Sequence, residues 1–370
     1  MTLQARALKT SELSKDNLNS SPALAVIDAD RLGAGTDLLS DQSSLSVLKD
    51  TLVENGAVLI RNWPLHSIED ANKLLENLDV QFETYLAGAS PRTRLTKNFY
   101  TSTEIPKLFV VPFHTEMCYV QRRPRKLFFY CDAPPERAGE TPIFDAAAIF
   151  ENLPPEIQDK VENLGVIYQR YFVNKEARFL NVYKTWMDSL QAETREEAEQ
   201  TCHRQGLEFE WQEDGGLITR NALPACVIEP TTGRKCLNLT LQNAYATPHD
   251  MYKFKHRFNP VLRLALAGLV KSQFTRKKVF LKTLWGDGSE ISEAETQAII
   301  DTAWKYSTLF TWQQGDMVLI DNIRCGHGRL NVKKPRKIVA ALGDFYNVNR
   351  SKGAKAVSEE IINVLDRATG

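Results

Sequence analysis

GDMVLIDNIRCGHGRL, residues 315–330, sets a short apolar run against a histidine held between two glycines. Met317–Asp321 is too short for an amphipathic helix and reads as a strand. Gly326 and Gly328 flank His327 and permit the close backbone approach that a site needs. Other short β-like runs stand around this stretch between Pro and Gly turns: Lys126–Cys131, Thr141–Phe144, Val166–Phe172, Ala225–Glu229, Lys235–Leu241, Leu309–Trp312 and Lys337–Asn347. A strand at Ala57–Trp63 lies between two helical stripes, Ser44–Asn55, stopped by Gly56, and Ser67–Leu78.

Further helical pieces are expected at Pro155–Asn163, through much of Glu176–Cys202, at Val261–Phe274 with an apolar face, and at Glu293–Tyr306. Ser292 and Glu295 stand in capping-box spacing before the last of these. No repeat and no Gly/Ser/Pro linker divides the chain. The expectation is mostly β with helical cover: a double-sheet barrel or jelly roll with N-terminal helices. One domain over 23–350 would carry helical insertions near 176–216 and 250–308. Residues 1–22, polar and rich in Ser, Lys and Asn, are expected to be a flexible leader, and 351–370 a tail.

The 370 residues hold 46 Lys plus Arg and 46 Asp plus Glu, which excludes a chain-wide basic field for nucleic acid. No apolar run approaches the roughly 18 residues of a membrane span. The start lacks an apolar signal core, and Glu12 and Asp16 weaken a transit-peptide reading. Six scattered cysteines without a CxxC pair read as free thiols. A cytoplasmic globular protein is expected.

Chemistry is limited by six histidines. In VVPFHTEMCY, His114 and Glu116 stand two apart, so a strand would point both to one face. His–Glu pairs of this spacing arise by chance, and a glycine-flanked turn histidine is common, so each alone is weak. Together, His114, Glu116 and His327 make two imidazoles and one carboxylate. That facial set suits non-haem Fe(II) with open positions for a co-substrate and O2. Thr141 in Gly139-Glu140-Thr141 and Arg336 in Pro335-Arg336-Lys337 each lead into a strand. Arg336 could pair a carboxylate in bidentate fashion and Thr141 add a hydroxyl. Their alternatives are a β-forming residue at a strand start and a surface residue of the basic run Lys333–Lys337.

The order H-T-E, then G-E-T, then W-x-x-G-D-M-V-L-I-D-N-x-x-x-x-H-G-R, then P-R-K-I-V resembles the TauD/TfdA superfamily of Fe(II)/2-oxoglutarate oxygenases. YTSTEIP (100–106), LFFYCDAPPERAGETPIFD (127–145) and WGDGSEIS (285–292) are similar to its SyrP-like and clavaminate-synthase-like branch. The likeness runs over roughly residues 45–345. It implies a jelly-roll oxygenase with His114, Glu116 and His327 as iron ligands and 2-oxoglutarate held by Arg336 with Thr141 beside it. Many relatives carry a second Arg where this chain has Lys337, and a one-residue register shift would exchange the roles of 336 and 337. Thr115 stands where close relatives often carry Asn.

The resemblance further implies oxidation of an aliphatic C–H in a small, amino-acid-like metabolite, in specialised metabolism, while 2-oxoglutarate is decarboxylated to succinate. Hydroxylation is favoured over ring closure or desaturation, and halogenation is disfavoured because Glu116 fills the position a halide would need. No catalytic group beyond the metal centre is expected. Tyr100, Thr101, Ser102 and Glu104 are candidates for the pocket mouth, Asn238 for a branch-typical Asn, and Arg329 for a substrate carboxylate; ordinary turn or strand roles remain open for each. A divalent-metal hydrolase on the same ligands and a non-catalytic binding protein on the same barrel remain alternatives. The oligomeric state is not readable.

Overall fold

The computed structural model describes residues 4–17, 24–31, 39–83, 93–102, 105–174, 185–274, 278–332 and 336–348. Met317–Asp321 lies at the centre of a seven-stranded sheet. Its neighbours are Ala57–Arg61 on one side and the long Arg122–Ala133 strand on the other. Beyond these lie Leu24–Asp28 and Ala5–Arg6 at one edge, Lys337–Asn347 and Tyr100–Thr101 at the other. All pairings are antiparallel except Leu24–Asp28 with Ala57–Arg61.

Both faces of this sheet are covered, which is why its central strands read as continuous apolar runs. Met317, Leu319, Phe128, Tyr130, Val339 and Ala341 point to one face and pack under helices Gln42–Asn55 and Ile68–Asn77. Val318, Ile320, Leu127, Phe129, Ile338 and Ala340 alternate to the other face and form the main core. That core is closed by a second sheet, in the order Ser307–Thr308, Ile143–Asp145, Cys325–Arg329 and Val111–His114, antiparallel throughout. Phe113, Ile143, Phe144 and Cys325 contribute its inner surface. A third sheet (Leu281–Trp285, Val166–Phe172, Leu217–Leu223, Glu208–Trp211) and a hairpin (Cys226–Ile228 with Lys235–Leu237) extend the architecture, which is sheet-rich and mixed with helices.

Local signals place most elements. Asp41 caps the first long helix, whose stop is Gly56 at φ 81; Ser67 caps the second. The Ser292–Glu295 capping box opens Glu293–Lys305. Leu309–Trp312 is not a strand of a sheet: it meets residues 12–17 through an isolated Leu13–Phe310 bridge and the hydrogen bonds on either side of it. Within the described part of the expected 176–216 helical insertion there are two helices, Trp186–Leu190 and Arg195–Arg204, then the strand Glu208–Trp211.

Residues 4–17 of the expected leader make contacts with the fold. Ala5–Arg6 adds a strand to the large sheet, and the Ser14 amide donates to Leu309 O. The polar composition that suggested fraying supplies ion pairs instead. Glu12 binds Arg6 and the buried Arg61, which in turn pairs with Asp316. Among the described residues no helix is long and apolar enough to cross a membrane.

Candidate metal and co-substrate site

His114 and His327 face each other as register partners on adjacent strands of the smaller sheet. Their ring centroids are 4.2 Å apart. The approach requires the glycines. A Cβ on Gly326 would stand 2.2 Å from Phe113 Cε2, and one on Gly328 would stand 2.8 Å from Val111 O. Glu116 is not on the strand, which ends at His114. A turn carries it back to the same side, with Met117 taking the left-handed φ of 57°. The face-sharing anticipated from strand alternation is therefore achieved by a turn. One ligand atom from each of His114, Glu116 and His327 lies within 4.8 Å of the others. His327 Nε2 is 3.7 Å from Glu116 Oε2. His114 Nδ1 lies 3.0 Å from Pro112 O; a proton donated there leaves the Nε2 lone pair for a metal.

The turn is clamped by Asn322, which sequence reasoning passed over. Its Oδ1 accepts the Glu116 amide at 2.7 Å, and its Nδ2 donates to Glu116 O and Pro124 O. Asn238 supports the same turn from behind: its Oδ1 accepts from Thr115 Oγ1 and from Arg123 Nη1. Asn238 is fully buried and is not among the residues lining the pocket.

The pocket opens between the two sheets. Phe129 and Ile338 come from the large sheet; His114, His327, Thr141 and Arg329 come from the small-sheet side. At the end away from the metal triad, Arg336 donates from Nε to Gly139 O at 2.9 Å and from Nη2 to Thr141 Oγ1 at 3.1 Å. Trp312 Nε1 donates to the same Thr141 oxygen at 3.2 Å. With two donors on its oxygen, the Thr141 hydroxyl proton is available to an acceptor in the pocket. Burial, and then the neighbouring Arg329, push the Arg336 guanidinium down to about 9. No carboxylate pairs with Arg336 among the described residues. Lys337 points to the opposite face, exposed, and pairs with Asp132 at 2.8 Å.

The remaining candidates are scattered. Arg329 lines the pocket, and its Nη2 donates to Pro106 O and Phe109 O; burial lowers it to about 10. Ser102 also lines the pocket. Thr101 Oγ1 accepts the Thr93 amide, and Tyr100 borders a separate surface depression with Glu76 and Arg94. Glu104 lies outside the described residues. Trp312 ends the expected Leu309–Trp312 run, and its bond to Thr141 has no local sequence signal.

The arrangement offers a three-ligand face for a divalent metal and a half-buried cation with a hydroxyl in the same pocket. The family described as "Taurine catabolism dioxygenase TauD, TfdA family" matches residues 21–342. A clavaminate synthase-like protein of Arabidopsis thaliana is 29% identical over 80% of this chain and 83% of that one. The dapdiamide synthesis protein DdaC of Enterobacter agglomerans is 27% identical over 80% and 84%. Among solved structures, PvcB of Pseudomonas aeruginosa shares the fold, with a TM-score of 0.51 at 13% identity over 92% of this chain and 91% of that one. The chain belongs to the TauD/TfdA family and is a dioxygenase that depends on Fe(II) and 2-oxoglutarate.

Proposed function

We propose that His114, Glu116 and His327 hold the Fe(II), that Arg336 and Thr141 bind the far carboxylate of 2-oxoglutarate, and that the enzyme hydroxylates an aliphatic carbon of a small, amino-acid-derived metabolite in the cytoplasm. The two facing sheets are read as the halves of a jelly roll within one domain. The observation that carries the reading is that a complete ligand triad and a half-buried Arg with no carboxylate partner among the described residues share one pocket. A bidentate dicarboxylate oxygen pair would relieve the cost of burying that guanidinium. The opposite facing of Lys337 supports Arg336 as the holder.

When bound, the iron with 2-oxoglutarate supplies the oxidising chemistry with O2. The residues described here do the rest. Asn322 fixes the Glu116 turn, His114 is oriented through Pro112 O, and Phe129 and Ile338 dry one wall. Glu116 occupies the third protein position, which leaves no place for a halide. Arg329 is the cation placed to meet a substrate carboxylate at the pocket wall. The names of the two curated relatives, clavaminate synthase-like and dapdiamide synthesis, support an amino-acid-related substrate.

The test has two stages. Anaerobic protein with Fe(II) and 2-oxoglutarate should develop a weak visible charge-transfer band that a zinc hydrolase would lack. An amino-acid-derived library should then be screened by succinate release, and the product weighed after reaction in 18O2. Gain of one labelled oxygen is the expected result. Loss of two hydrogens without label would assign ring closure or desaturation instead, and a chlorinated product would overturn the role of Glu116.

A further inference from the structure

Behind the carboxylate end of the pocket lies a charged network that neither the metal nor the co-substrate reading uses. Glu140 stands between the two groups that grip Arg336, the Gly139 carbonyl and the Thr141 hydroxyl. Its side chain turns away from the pocket. Oε1 accepts from Ser14 Oγ at 2.6 Å and Arg257 Nη2 at 2.9 Å, and Oε2 accepts from Arg257 Nη1 at 2.8 Å. Arg257 also donates from Nε to Asp16 Oδ2 at 2.7 Å. The side chains of Arg257 and Glu140 are 7% and 8% exposed, so the pairing is little screened by salt. Burial alone would raise the Glu140 carboxyl; the Arg257 guanidinium outweighs it and holds the group below the usual carboxylate range.

Two of the residues in this network, Ser14 and Asp16, belong to the N-terminal segment. That segment runs beside residues 309–311: the Thr311 amide donates to Glu12 O, and the Leu309 amide donates to Asn17 Oδ1. Trp312, the other donor to Thr141, comes next in the chain. One strap therefore bonds Glu140, which precedes Thr141, and Thr311, which precedes Trp312. The Glu140 carbonyl in addition accepts the Leu330 amide, just past the His327 strand.

We infer that residues 12–17, acting through the Asp16–Arg257–Glu140 chain, are a positioning device for the co-substrate carboxylate, setting 2-oxoglutarate affinity without touching the ligand. This rests on the assignment of Arg336 and Thr141 given above. Glu140 lies between Gly139 and Thr141 in the chain and its side chain is bonded on the side away from the pocket, so this anchor restricts where Gly139 O and Thr141 Oγ1 point. A loosened anchor lets Arg336 sample other orientations, and small misplacements at a binding group are felt strongly.

The test reads binding in the absence of turnover. Full-length protein is loaded with Mn(II), and 2-oxoglutarate is titrated calorimetrically. Glu140→Gln should raise the 2-oxoglutarate Kd by about tenfold, as expected for losing a charge-assisted anchor. Arg257→Lys, which keeps the charge, should fall between it and the parent. The Mn(II) Kd should stay within about twofold in both, the scale of an untouched site. Removing one partner of a buried pair can unfold a protein. Ser14→Ala, which strands no charge, and the Glu140→Gln/Arg257→Met double variant, which removes the buried pair and leaves Asp16 its contact with His256, therefore serve as further probes. Both should weaken 2-oxoglutarate more than Mn(II). Folded variants that bind 2-oxoglutarate like the parent, or that lose Mn(II) in the same proportion, overturn the inference. Should Arg336→Ala bind 2-oxoglutarate normally, the co-substrate assignment itself fails, and the strap falls with it. A tenfold loss in Arg336→Ala with none in Glu140→Gln rejects the strap alone.

Discussion

At the metal end of the pocket, His114, Glu116 and His327 are placed by neutral contacts: a strand register, two glycines, a carbonyl on His114 and the amide side chain of Asn322. At the carboxylate end, Arg336 is oriented by Gly139 O and Thr141, and behind them stand Glu140, Arg257 and Asp16, all charged and mostly buried. The first end is built from backbone geometry, which depends weakly on pH and salt. The second is built from ion pairs, whose worth depends on every member keeping its charge. Substitutions should therefore act on the two ends separately.

The largest expected effect is at the metal end. His114→Ala or His327→Ala removes one of three ligands and should abolish both iron retention and product formation, with circular dichroism unchanged. A variant that keeps near-parental iron content and turnover would remove that residue from the ligand set. Next comes the carboxylate end. Arg336→Ala should raise the 2-oxoglutarate KM by roughly ten- to a hundredfold, the worth of a hydrogen-bonded charge pair, while the KM for the organic substrate moves little. Lys337→Ala should do neither, since its partner is Asp132 on the outer face. If the two results exchange, the ends are not divided as drawn.

The smallest effect concerns acid. Glu140 and Asp16 both titrate below their ordinary values of 4.5 and 3.8; burial opposes this, and Arg257 overrides it in each case. A carboxyl with a lowered folded pKa contributes stability that is full above its unfolded value and is lost as pH falls through the folded one. Between about pH 5 and pH 2, Tm should thus fall more steeply in the parent than in the Glu140→Gln/Arg257→Met double variant. Parallel acid limbs would show that the ion pairs of this end add no net stability.

The same division explains what could be read from the chain. Metal candidates stood out because His114 and Glu116 are two apart and His327 is bracketed by glycine, patterns visible without a partner. The central strands stood out because both faces are buried. Asn322 did not, because an Asn after a strand is ordinary until the Glu116 turn, distant in sequence, is laid against it. The contacts of the N-terminal segment were hidden for the opposite reason. Polar residues usually mean solvent, and only the fold reveals that Ser14 meets the buried Glu140 and Asp16 meets Arg257. Helix Pro260–Phe274 carries the anticipated apolar residues, yet Val261 and Leu264 are 75% and 69% exposed. Periodicity shows what a helix can bury, and the presence of a covering surface is a separate matter.

The Asn322 clamp joins residues 206 apart in the sequence. During synthesis the chain emerges from its N-terminus, and His327 leaves the ribosome long after His114 and Glu116. Until then a nascent chain offers His114 and Glu116 alone, with neither the third ligand nor the side chain that holds their turn. Contacts of such long separation form late, after the costly closure of the intervening loop. On the proposed ligand set, iron uptake reports closure across that span: a chain cut before Asn322, or one only partly folded, cannot assemble the full face.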